Sequence, residues 1–230
     1  MGNIDKDIII YIFIFASFLP GRIPYAGKYF RLINTLIHES GHAVFSLLTN
    51  GSVEHIELFS DTSGLTVTKN KSKLSAFVVS LSGYFFASGC ALLFFYLIKF
   101  DHYPVILYIL LSLITINLIL FVRNTYGIIW LLSLAAVIIG LMYIKAELPV
   151  LIFIFLVSSL SLSESVVSAF VLVKISLRSP KKAGDAANLA KTTHIPALIW
   201  SLIFLAFALF CFYLVIFRLF PVEAFLKRLA

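Results

Sequence analysis

Charge is what this sequence has least of. Asp, Glu, Lys and Arg make up 13% of its 230 residues, about half the roughly 25% of an ordinary soluble domain. Residues 74–98, 103–122, 124–144, 148–163 and 192–217 contain none of the four, and 61% of the chain is hydrophobic. A soluble globule is thereby excluded. Four of these windows reach the roughly 20 apolar residues that a bilayer-crossing helix requires, and the fifth is extended by apolar neighbours. Long polar stretches are lacking too: no loop approaches the roughly 50 residues of a small domain, so no separate soluble module is expected. Cysteine is nearly absent. Cys90 and Cys211 both lie in apolar windows, which excludes a disulfide framework and a Cys-rich metal site. The net charge of +7 comes from short basic clusters between apolar segments, the pattern of helix ends at lipid headgroups rather than of a nucleic-acid surface.

The expected fold class is an all-α polytopic membrane protein of about six to seven transmembrane helices with one small β-hairpin. Segment 8–19 has only 12 apolar residues, a helix of roughly 18 Å against a hydrocarbon core of roughly 30 Å. It is re-entrant, borrows its flanks or acts as a signal anchor; Asp5 and Asp7 beside Lys6 argue against a cleavable signal peptide. A turn follows at Pro20, Gly21, Pro24 and Gly27, and a second helix at about 29–49. Val53, His55 and Glu57 then alternate with apolar residues before a Ser-Asp-Thr-Ser-Gly turn, and Leu65–Thr68 follows it, which predicts a hairpin. Apolar helices are expected at about 74–99, 103–122, 125–143 and 148–174. After the polar stretch 178–195, with a helix start at Gly184–Asp185, the last span runs from Pro196 to about Phe217. If every segment crosses, the 18 Lys and Arg divide 10 to 8 between the two sides. This mildly favours a cytoplasmic hairpin and sets both polar loops on the same side.

His38-Glu39-Ser40-Gly41-His42 fits the pattern H-E-x-x-H. Residues four apart share a helical face, so both imidazoles can bind one zinc ion. Glu39 then stands beside the metal as a base for the water it activates. By chance, this composition would place such a match in roughly 0.3% of chains. Ionisable groups in an apolar helix cost several kcal/mol unless partnered, which also points to a functional site. Gly41 is accounted for equally by close helix packing and by catalysis.

A catalytic zinc takes three protein ligands, so a further acid is required from elsewhere. The candidates are Asp185, at the start of the helix after Lys181–Lys182, and Glu164, within the span 148–174. Depth alone favours Glu164. Its serine neighbours, Ser158 to Ser168, equally suit close packing and a structural role for that carboxylate. His55, Asp61, His102 and His194 fall near loops or helix ends and are expected to be solvated.

Leu36-Ile-His-Glu-Ser-Gly-His-Ala43, the turn Thr49-Asn-Gly51 with its hairpin, Ser82-Gly-Tyr84 and Arg123-Asn-Thr-Tyr-Gly127 recur in one order. Gly184-Asp-Ala-Ala-Asn-Leu-Ala190 follows, with Thr193 and Pro196-Ala-Leu-Ile-Trp200. In these blocks the chain resembles the site-2 protease-like intramembrane zinc metallopeptidases, in their branch of small multi-span bacterial proteins. The resemblance implies a zinc-dependent endopeptidase of membrane-associated protein substrates, one integral-membrane domain spanning the chain, and residence in the bacterial inner membrane. It implies Asp185 as the third ligand beside His38 and His42, and Glu39 as the catalytic base. Against the family pattern, Gly184 replaces the common serine and His194 stands where glycine is usual. Two other classes compete: a transport-type metal-binding membrane protein, for which no repeated half or pair of broken helices is visible, and a non-catalytic scaffold, against which the retained His pair and Glu argue.

Overall fold

The computed structural model describes residues 3–18, 26–144 and 146–221. The turn expected at Pro20–Pro24 and the basic tail beyond residue 221 lie outside them. The elements are α1 (Asn3–Phe18), α2 (Ala26–Leu48), β1 (Ser52–Leu58), β2 (Gly64–Lys69), α3 (Lys73–Lys99) and α4 (Tyr103–Ile116). They continue with α5 (Thr125–Ile144), α6 (Glu147–Arg178), α7 (Gly184–Thr193) and α8 (Ala197–Tyr213). Short π-helical turns extend α4 over Asn117–Phe121 and α8 over Leu214–Leu219.

Five helices are long and apolar enough to cross a membrane: α3, α4 with its extension, α5, α6, and α8 with its extension. They coincide with the charge-free windows, and the chain is an integral membrane protein. Helix boundaries follow local chemistry: the Ser72 side chain caps α3 by accepting from the Ser75 amide at 3.0 Å. Pro104 sits in the first turn of α4, where its missing N–H costs nothing.

Helix α6 is the axis of the bundle, packed by α8, α3, α1 and α2. Its serines explain how one helix admits so many neighbours: Ser158, Ser159, Ser161, Ser163 and Ser165 are all buried, and their small side chains let backbones approach. A large apolar cluster joins α2 to α3, α4, α5 and the first half of α6. A smaller one is built from Ala183, Ala186, Ala187 and Leu189 against Leu172, Trp200 and Phe204, and it docks α7 onto the bundle. The corner between α7 and α8 is closed by Trp200 Nε1 donating to Thr193 Oγ1 at 3.1 Å. His194 caps α7 in the left-handed region at φ 62°, a position that favours glycine, so the residue usual in the family there has a backbone reason. Gly184, at φ 45°, marks the other end of the same helix, where a serine would be strained.

Strands β1 and β2 pair antiparallel, with an irregularity between Val53 and His55. The outer edge of β1 is occupied. Ile56 bridges Val122 in parallel, and the Arg123 amide donates to the Ile56 carbonyl at 3.2 Å. Asn124 completes the clamp: its Oδ1 accepts from the Leu58 amide at 3.1 Å and its Nδ2 donates to the Leu58 carbonyl at 2.6 Å. A side-chain amide here imitates a neighbouring strand. Gly127 makes room for it, since a Cβ there would lie 2.6 Å from Asn124 Oδ1.

Candidate metal centre

His38 and His42 lie one turn apart on the face of α2 toward α3, and α7 brings Asp185 to them. Each imidazole Nε2 is 3.2 Å from Asp185 Oδ2, and the two Nε2 atoms are 3.1 Å apart. A tetrahedral ion with bonds of about 2.0–2.1 Å holds its donor atoms about 3.3 Å apart. The observed triangle therefore fits a small divalent cation, and two imidazoles with one carboxylate are a donor set that zinc favours. Among the described residues this is the one cluster of three His, Cys, Asp or Glu with converging donors.

The surroundings hold these donors in place. His42 Nδ1 is 2.7 Å from the Val79 carbonyl; a carbonyl only accepts, so Nδ1 carries the hydrogen and Nε2 keeps its lone pair for the centre. Gly83 lets α3 come close enough: a Cβ there would lie 2.6 Å from both Nε2 atoms. Gly41 faces Phe86, whose Cβ would be 2.8 Å from an added Cβ, so close packing accounts for it. Burial works to raise the Asp185 carboxyl, but the two imidazoles beside it outweigh that and hold the group below the usual carboxylate range. That direction favours the ionised carboxylate, the form that binds a metal.

Glu39 is buried beside this triangle and is held by the hairpin. Thr66 Oγ1 donates to Glu39 Oε2 at 2.6 Å, which leaves Oε1 free of that bond. Gly64 makes the contact possible, since a Cβ there would stand 2.8 Å from Oε1. His38, Glu39, His42 and Asp185 line one cavity of about 750 Å³ together with β2, Asn70, Tyr84, Asn188 and Lys191.

The other candidates go elsewhere. Glu164 meets Arg31 of α2 as an ion pair at 3.0 Å and is not part of the His38–His42–Asp185 cluster. His55 lies 4.0 Å from Glu57 on the hairpin, Asp61 accepts from Ser63 in the hairpin turn, and His102 is exposed. Spacing alone held no signal for Thr66, Gly64, Gly83 or the Val79 carbonyl. The blocks that resembled the family did reach two of these elements, through Ser82-Gly-Tyr84 and the hairpin, without saying what they do.

No curated protein and no solved structure matches the chain. A family model described as Peptidase M50B-like matches residues 8–215. That span takes in the His pair, the hairpin, Tyr84, the Asn124 clamp and Asp185, and the chain belongs to the Peptidase M50B-like family.

Proposed function

We propose that this protein is a zinc-dependent intramembrane endopeptidase that hydrolyses peptide bonds of membrane-associated proteins, with His38, His42 and Asp185 as metal ligands and Glu39 as catalytic base. The observation that carries the reading is the 3.1–3.2 Å triangle of donors from α2 and α7, with a carboxylate of the same cavity left free to move a proton. The chain forms one catalytic domain, resident in the bacterial inner membrane.

When bound, zinc supplies Lewis acidity, lowering the pKa of water and polarising a carbonyl. Glu39 Oε1 takes the proton of the attacking water while Thr66 steadies Oε2, and the same carboxyl returns the proton to the leaving amine. Water reaches Glu39 through the polar cavity between hairpin and α7, whose lining includes Asn70, Asn188, Lys191 and Thr192. The hairpin presents the substrate. With the β1 edge taken by Val122–Asn124, the outer edge of β2 is the one that lines the cavity, and an extended peptide can add to it as a further strand. A transmembrane helix must unwind locally before it can do so, because its amides are otherwise bonded within the helix.

The reading is tested on detergent-purified protein by zinc analysis and cleavage of an unfolded substrate. Glu39→Gln retains one zinc per chain and loses cleavage by about 10²–10⁴-fold. Asp185→Asn loses zinc, whereas Glu164→Gln keeps it. Wild-type protein without stoichiometric metal, or an active Glu39→Gln, would end the proposal.

A further inference from the structure

We infer that Tyr84 is a further catalytic residue, whose phenol donates a hydrogen bond to the substrate carbonyl oxygen as that oxygen gains charge. The inference rests on the peptidase reading above. Tyr84 immediately follows Gly83, the residue whose backbone abuts both imidazoles. Its ring stands edge-on to the His38 ring, centroids 4.7 Å apart at 87°, and stacks on the buried Phe204 at 4.6 Å and 19°. Two rigid contacts thus fix the direction of the phenol.

The hydroxyl is left for a ligand. Tyr84 lines the cavity shared by Glu39 and Asp185. Among the described residues its hydroxyl has no hydrogen-bond partner, and Tyr84 is only partly buried. An accessible, oriented donor beside a base and a metal centre is the arrangement that stabilises a developing oxyanion. Thr66, another hydroxyl of the same cavity, is already committed to Glu39.

The chemistry balances without a co-reactant. As the water oxygen bonds to the carbonyl carbon, its proton passes to Glu39 and the C=O π pair moves onto the carbonyl oxygen. Tyr84 donates to that oxygen and keeps its own proton. When the C–N bond breaks, its electron pair goes to nitrogen, which takes the proton from Glu39, and the oxygen pair re-forms C=O.

Tyr84→Phe keeps both ring contacts and removes only the hydroxyl. With fluorescein-labelled casein as substrate, it is expected to lower kcat about 100-fold, with KM within about twofold and zinc unchanged at one per chain. Affinity for a Phe-Leu phosphinic dipeptide, which mimics the charged tetrahedral state, weakens by the same factor. A kcat within threefold of wild type overturns the inference, as does a loss that merely tracks lost zinc. A loss of that size in Asn188→Ala with Tyr84→Phe near wild type assigns the donor to Asn188 and also overturns it. If wild type and Glu39→Gln are equally inactive, the peptidase reading fails and Tyr84 falls with it. If only Tyr84→Phe keeps activity while Glu39→Gln loses it, the Tyr84 assignment alone is wrong.

Discussion

At the scale of single residues, two glycines do different work around one carboxylate and two imidazoles. Gly83 admits the backbone of α3 to His38 and His42, and Gly64 admits the backbone of β2 to Glu39. The two can therefore be separated by adding one methyl group to each. Gly83→Ala sets a Cβ 2.6 Å from His38 Nε2 and His42 Nε2, so the imidazoles must turn away and zinc affinity is expected to fall about 10- to 100-fold. Gly64→Ala presses on Glu39 instead, and it should leave zinc bound while kcat drops. Competition with a fluorescent chelator reads the first and turnover of zinc-saturated protein reads the second. Equal zinc affinity in Gly83→Ala and wild type would mean that α3 does not support the ligands.

Elements contribute what no single residue can, because the hairpin is too small to stand by itself. A two-stranded sheet is marginal in water, and this one is anchored by Asn124 on one side and by Thr66 on the other. Removing the Asn124 amide leaves the Leu58 N–H and C=O unpartnered, at a cost of about 1–3 kcal/mol. Asn124→Ala should speed exchange of the Leu58 amide by roughly 10-fold or more and raise KM for a strand-like substrate, without changing zinc content. Unchanged exchange would show that the strand pairing suffices alone. Legibility in the sequence divides along the same line. The His pair and the hairpin are local patterns, four residues and a few alternations long, so periodicity shows them. The joining of Asp185 to His42 is set by how α7 packs through alanines onto Trp200 and Phe204, and no periodicity encodes a contact across so many intervening spans. Only resemblance could supply it. The clamp at Asn124 was visible as a motif and opaque as chemistry, since a side chain that imitates a strand has no spacing rule.

For the molecule as a whole, the fold decides which helix ends share a side. The hairpin, the Val122–Asn124 clamp and α7 meet one another, so the ends of α4 and α6 and the starts of α3, α5 and α8 lie on one side, together with the mouth of the cavity. Among the described residues that side carries Lys69, Lys71, Lys73, Arg123, Lys174, Arg178, Lys181, Lys182 and Lys191, against Lys28, Arg31, Lys99 and Arg218 toward the other. Cytoplasmic loops are enriched in Lys and Arg, so the cavity is expected to open to the cytoplasm, where water enters. Single-cysteine chains test this. In a background with Cys90 and Cys211 replaced by alanine, the exposed positions of Lys71→Cys and His102→Cys mark the two ends. A membrane-impermeant maleimide should label His102→Cys in intact spheroplasts and Lys71→Cys only in inverted vesicles. The opposite pattern would turn the cavity outward, and cleavage would then depend on water and substrate reaching it from the outer face.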